Sequence, residues 1–148
     1  MPAPMIIGWR ERVSFPDWGI RGVRAKIDTG ARTSALHVGV IEPEVDGRIR
    51  FEVVVREQPR PVHAWVEAPV VREGVVKPHA GVREVRPVVL ARVRIGPFER
   101  EIEVNLVCRR GMTCRMLVGR TALEGLLIDP TRIRLLTPPR PRPQGGSS

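Results

Sequence analysis

Val23-Arg24-Ala25-Lys26-Ile27-Asp28-Thr29-Gly30-Ala31-Arg32-Thr33-Ser34 is the stretch that decides how the rest of the chain reads. Its first half alternates apolar and basic residues, the period-two pattern of a half-buried strand. Its second half breaks at once into Asp-Thr-Gly, residues that turn a backbone and that an Asx turn alone would explain. A second segment adds weight. Met116-Leu117-Val118-Gly119-Arg120-Thr121-Ala122-Leu123 is a short apolar strand that breaks at Gly119, about ninety residues further on.

The same period runs through the chain outward from this stretch. Phe51-Val53-Val55, Val62-Ala64-Val66, Val89-Ala91-Val93-Ile95 and Ile102-Val104-Leu106 each alternate with polar residues and end at Gly, Pro or Asp. Asp46-Gly47 predicts a hairpin between Val40–Val45 and Arg48–Val55. Gly96-Pro97 predicts another reversal. Fifteen prolines suit strands better than long helices. One helix is expected, from Arg120 to Leu127, ended by Asp129-Pro130. From Thr137 to Ser148 the chain is mostly Pro, Arg, Gly and Ser, with nothing apolar to bury. Residues 1–136 therefore read as one all-β domain and 137–148 as a disordered tail.

Composition bounds the function. The chain has 148 residues, 42% hydrophobic and 28% charged, which is a globular composition. It has no apolar run long enough to span a bilayer and no secretory signal at its start, so a cytoplasmic location and no membrane partner are expected. Cys108 and Cys114 are too few for a disulfide scaffold and read as small, partly buried residues. The net charge of +9 comes almost wholly from arginine. These arginines alternate with apolar residues, as outward strand positions do, and the six aromatics form no evident stacking platform. An acidic partner is expected; nucleic acid is not.

The pair of motifs, in this order and in an all-β chain, resembles the retropepsin-like aspartic peptidases. More closely, Gly8-Trp9-Arg10-Glu11, Ala25–Leu36 and Arg115–Arg120 are similar to a bacterial group that carries the name ATP-dependent zinc proteases. That group is associated with the ligase that adds glutamates to a ribosomal protein. The resemblance covers Ile6 to Leu136. It implies a closed β-barrel with a flap hairpin, active as a homodimer, with Asp28, Thr29 and Gly30 as the catalytic triplet. It also implies that Thr29 ties the two loops together across the dyad, and that Gly119 and Arg120 support the site from beneath.

The chemistry agrees with one such triplet per chain. Peptide hydrolysis without a metal needs a base for water and an acid for the leaving nitrogen, and two adjacent carboxylates sharing a proton supply both. Asp17, Asp46 and Asp129 stand in other contexts, so a working site takes Asp28 from each of two subunits. Ala31 stands where pepsin-type enzymes carry a hydroxyl residue, and loss of that donor moves the expected activity towards neutral pH. Arg32 stands where viral relatives carry an acid that pairs with the Gly-Arg arginine. Arg120 therefore loses that partner, and two cations lie near the cleft. Arg32 reads either as a guanidinium that holds acidic substrate side chains or as a solvated loop arginine.

The flap is expected between Val71 and Arg86, hinged at Gly74 and Gly81, with Lys77, His79 and Arg83 touching substrate. An exposed polar loop is the other reading of that segment. No metal or other cofactor is expected: His-Glu-x-x-His, Cys-x-x-Cys and P-loop patterns are absent, and His37, His63 and His79 are widely spaced. Ser34 has no nucleophile context, and Glu42, Glu44, Glu52 and the other acids read as surface charges. The sequence thus predicts an aspartic endopeptidase acting on acidic peptides, a glutamate-modified ribosomal protein among them. The alternative is a catalytically inactive barrel that binds acidic peptides or RNA.

Overall fold

The computed structural model describes residues 3–79, 81–108 and 114–139, with the backbone alone for 78 and 79. Strands account for nearly all of its regular structure. In chain order they are β1 (Ile6–Gly8), β2 (Arg10–Phe15), β3 (Ile20–Ile27), β4 (Ser34–Pro43), β5 (Arg48–Arg56) and β6 (Val62–Pro69). Then come β7 (Arg72–His79), β8 (Val82–Ile95), β9 (Phe98–Cys108), β10 (Met116–Val118) and β11 (Leu127–Asp129). Helical structure is limited to short 3-10 turns, the longest being Arg120–Leu123.

Alternation sets which face is buried. Val13 and Phe15 of β2, Val23, Ala25 and Ile27 of β3, and Val89, Ala91, Val93 and Ile95 of β8 point inward. They join Phe51, Val53, Val104, Leu106, Met116 and Val118 in one cluster. Burying each of the larger of these side chains (Val, Leu, Ile, Met, Phe) contributes about 1.5–3 kcal/mol, so this shared interior is the main adhesive of the fold. Trp18 adds to it, stacked on Phe15 at 4.9 Å and meeting Phe51 edge-on at 5.5 Å.

The strand pairings return on themselves. Short β10 lies parallel to β3 (Met116 opposite Ala25) and antiparallel to β4 (Met116 opposite Leu36). From β3 the path runs through β2, β8 and β9 back to β4. Six strands so form a ring whose slimmest joint is β2–β8, paired at Ser14 and Arg94. β5 and β6 extend from β4, and among the described residues β7 pairs only with β8. The all-β expectation holds, but the architecture is a sheet ring with arms rather than a simple closed barrel.

Both expected reversals are present. Asp46 (φ 59°) and Gly47 (φ 71°) join β4 to β5, and the Arg48 amide donates to the Val45 carbonyl. Gly96 (φ 59°) with Pro97 joins β8 to β9, with Ile95 opposite Phe98. A Cβ at Gly96 would also run into the Leu136 carbonyl, so glycine is required there twice over.

Two expectations need correction. The helix expected over Arg120–Leu127 is a 3-10 turn over Arg120–Leu123. Gly125 (φ 83°) breaks it, and Leu127–Asp129 is drawn off as β11 to pair with β1. The tail does not begin at Thr137. That residue donates its amide (3.1 Å) and hydroxyl (2.7 Å) to Glu11 Oε1. Glu11 is fully buried, not a surface charge, and its Oε2 also accepts the amides of Gly8, Leu135 and Leu136. Residues 140–148 of the expected tail lie outside the described residues. Among the described residues no helix is long and apolar enough to cross a membrane.

Candidate active site

Asp28 follows directly on β3, and its backbone has little freedom. Its amide donates to the Val118 carbonyl at 2.9 Å, and the amide of Ile27 donates to Trp9 at 2.8 Å. The chain then turns. Gly30 donates its amide to Asp28 Oδ1 at 3.0 Å, and Ala31 donates to the Asp28 carbonyl at 3.2 Å. The Asp28 carboxylate is left half-buried, with one oxygen in a local turn and the other free of any protein donor among the described residues.

Residues 119–121 hold this loop from below. The amides of Arg120 and Thr121 donate to the carbonyls of Ala31 (2.8 Å) and Arg32 (3.1 Å). The Thr121 hydroxyl donates to the same Arg32 carbonyl, and Arg120 Nη1 donates to that of Thr29 at 3.0 Å. Gly119 gives its amide to the Ser34 hydroxyl at 3.1 Å. A Cβ at Gly119 would lie 2.7 Å from the Thr33 oxygen and 3.0 Å from the Ala31 oxygen, so only glycine allows this approach. Gly119 and Arg120 do underpin the loop. Arg120, however, lines no part of the cleft; its guanidinium is turned to the Thr29 carbonyl, which substitutes for the missing acidic partner.

A cleft of about 1130 Å³ opens beside Asp28. Gly30, Ala31 and Arg32 line it on the loop side, with Gly74, Val75 and Lys77 of β7 on the other. The β7–β8 pair is an antiparallel hairpin with His79 opposite Val82 and Gly81 at φ 79°, which is the expected flap. Lys77 reaches the cleft; Arg83, exposed on β8, does not line it. The side chain of His79 lies outside the described residues. Thr29 is exposed and lines no part of the cleft within one chain.

The cleft wall also holds residues whose part was not foreseen. Arg86, 8% exposed, donates Nη1 to Asn105 Oδ1 (3.2 Å) and pairs through Nη2 with Glu84 (2.9 Å). Asn105 Nδ2 in turn donates to the Ser34 carbonyl (2.9 Å), so a polar chain links the flap root to the Asp28 loop. The signal was available: Ser34 and Asn105 are polar residues at buried positions of otherwise apolar strands. His37 is buried in the same wall. Arg72 pairs with Glu103 at 2.8 Å, whereas Arg32 and Lys77 enter no ion pair among the described residues.

Among the described residues no three His, Cys, Asp or Glu side chains gather to hold a metal ion. Desolvation, with Glu84 nearby, pushes the Cys108 thiol above its ordinary value.

A family model described as the retropepsin-like aspartic endopeptidase RimB matches residues 6–139. The chain belongs to this RimB-like family. Its curated relatives carry another name. Proteins of Parasynechococcus marenigrum and Desulfotalea psychrophila, each named a probable alpha-L-glutamate ligase, are 35% identical to it over 134 and 132 residues. The matches cover 88% and 86% of this chain but only 29% and 28% of theirs, so the RimB-like chain spans less than a third of the relatives it matches. A crystal structure of a Legionella pneumophila protein of unknown function shares the fold. Its TM-score is 0.69 at 29% identity, over 90% of this chain and 99% of that one.

Proposed function

We propose that this RimB-like chain is an aspartic endopeptidase in which Asp28 from two copies activates water against peptide bonds of acidic, glutamate-rich segments. The observation that carries the reading is Asp28 itself. It is the one aspartate on the cleft wall among the described residues, its backbone is locked from below, and residues of the β7–β8 hairpin line the same cleft.

The proposed step needs two carboxylates sharing one proton. The ionised one takes a proton from water while the oxygen attacks the scissile carbonyl carbon. The protonated one hydrogen-bonds the carbonyl oxygen. As the C–N bond breaks, a proton passes to the nitrogen, leaving a carboxylic acid and an amine. One chain offers one such aspartate, so the second comes from a twofold-related copy that closes the barrel-like site.

Arg32 and Lys77, which line the cleft from loop and flap and enter no ion pair among the described residues, favour carboxylate side chains in the substrate. The relatives are named for a ligase rather than a peptidase, and the glutamate in that name is the ground for choosing a glutamate-rich peptide as the trial substrate. The test is hydrolysis of a glutamate-extended peptide near neutral pH, wild type beside Asp28→Asn, each with and without chelator. The expected result is cleavage that ignores the chelator and falls by about 10²–10⁴ in the variant. Cleavage that survives Asp28→Asn, or that the chelator abolishes, overturns the reading.

A further inference from the structure

Three outward arginines of this sheet stand opposite acids. Arg50 of β5 faces Glu42 on one side and Glu67 on the other, and Arg92 and Arg94 of β8 face Glu101 and Glu99. Several of these close as ion pairs, at 3.6 Å for Arg50–Glu42 and 2.7 Å for Arg94–Glu99. The β2–β3 ladder instead sets cations opposite cations. There Arg10 stands opposite Lys26 and Arg12 opposite Arg24.

Like charges directly opposite one another destabilise a sheet. A fifth cation joins them, since the Arg134 amide donates to the Arg10 carbonyl at 2.7 Å. Burial, followed by the charges of Arg24, Arg134 and Arg10, holds the Arg12 pKa below its ordinary value. None of the five enters an ion pair among the described residues, and the one carboxylate of β2, Glu11, is buried on the other face.

The cationic ladder is continuous with the cleft. Leu117 lines the cleft and is paired directly with Lys26, which is paired with Arg10. A row of neighbouring residues thus leads from the cleft wall onto the basic face.

We propose that this face is an exosite for an extended acidic peptide, holding the part of the chain that lies outside the cleft. The proposal rests on the acidic-substrate reading above but places binding at residues that do not line the Asp28 cleft. The period supports a peptide. Same-face residues on a strand recur every ~6.6–6.8 Å, and alternate side chains of an extended glutamate chain recur at that same spacing. Guanidinium forks match carboxylates bidentately. RNA fits less well, because base stacking needs open aromatic faces and the face of Trp9, the ring beside the ladder, is occupied by Arg10 at 4.8 Å.

The test measures binding, not turnover. A fluorescent long glutamate peptide and a short one sized to the cleft are titrated into Asp28→Asn protein, with and without Arg12→Gln/Arg24→Gln. The double variant is expected to weaken the long peptide by about tenfold at low salt, about 1.4 kcal/mol, and to leave the short one unchanged. Its Tm should hold or rise, because a cation–cation pair has been removed. In the Asp28-intact protein the same pair of substitutions should leave short-peptide cleavage unchanged. Equal long-peptide affinity in both proteins, or tighter binding of a poly-U RNA than of the glutamate peptide at equal salt, overturns the exosite. Because binding is read without Asp28, a failed peptidase reading and a failed exosite give different results.

Discussion

Arg120 Nη1 donates to the carbonyl oxygen of Thr29 at 3.0 Å, across a separation of 91 residues. The bond ties the second motif to the first at the residue next to Asp28. Arg120 is exposed, so its loss leaves the core intact and costs about 1 kcal/mol or less of stability. Arg120→Ala should lower kcat about tenfold with KM little changed, because a loosened loop misplaces the carboxylate without altering the cleft. Peptide kinetics beside a thermal melt check this: a fall in Tm that accounts for the whole effect would make Arg120 merely structural.

Glu11 receives five hydrogen bonds, from Gly8, Leu135, Leu136 and, twice, Thr137. It is the clasp that holds the C-terminal strap against β2. Glu11→Ala strands those donors in a buried site and should destabilise the protein by about 3–5 kcal/mol. Urea denaturation measures the cost, and hydrogen exchange should show residues 135–137 losing protection first. A change under about 1 kcal/mol would mean the strap is held by other contacts.

Arg32 lines the cleft with no ion-pair partner among the described residues. Arg32→Glu should reverse the local charge, lowering kcat/KM for an acidic peptide by about tenfold or more and sparing a neutral one. Competition between the two peptides in one reaction reads the ratio directly. An unchanged ratio would make Arg32 a solvated loop residue.

Asp129 lies outside the cleft and offers a check by pH. The Thr131 hydroxyl (2.6 Å) and amide (2.9 Å) donate to its Oδ1 and hold its carboxyl below the ordinary carboxylate range, with Arg132 a minor contributor. A depressed folded value stabilises above the unfolded pKa and is lost as pH falls through the folded one. The Thr131→Ala variant should therefore titrate at Asp129 closer to the ordinary value, and its acid unfolding should begin at slightly higher pH. Carboxyl NMR titration of both proteins measures the shift; identical curves would contradict the assignment.

Much of this was legible in the sequence, for physical reasons. Strands such as β3, β5 and β8 alternate because one face meets the core, and Asp46-Gly47 and Gly96-Pro97 mark turns that need positive φ. The Asp28 loop and its Gly119-Arg120 support were legible through their paired motifs. Glu11 was misread because an acid in an alternating strand usually faces water. Its parity with Val13 and Phe15 was the sign that it faces inward. The route of β10 between β3 and β4 is a long-range pairing that no local pattern encodes. The same holds for the cation ladder, which depends on which strands lie side by side.

The central claim is that one cleft requires two Asp28 carboxylates. The most direct measurement mixes wild type with Asp28→Asn protein at fixed total concentration, allows subunits to exchange, and follows cleavage of the glutamate-extended peptide. A shared dyad predicts activity that falls as the square of the wild-type fraction. Activity that falls in simple proportion would mean each chain carries a complete site and would contradict the dyad.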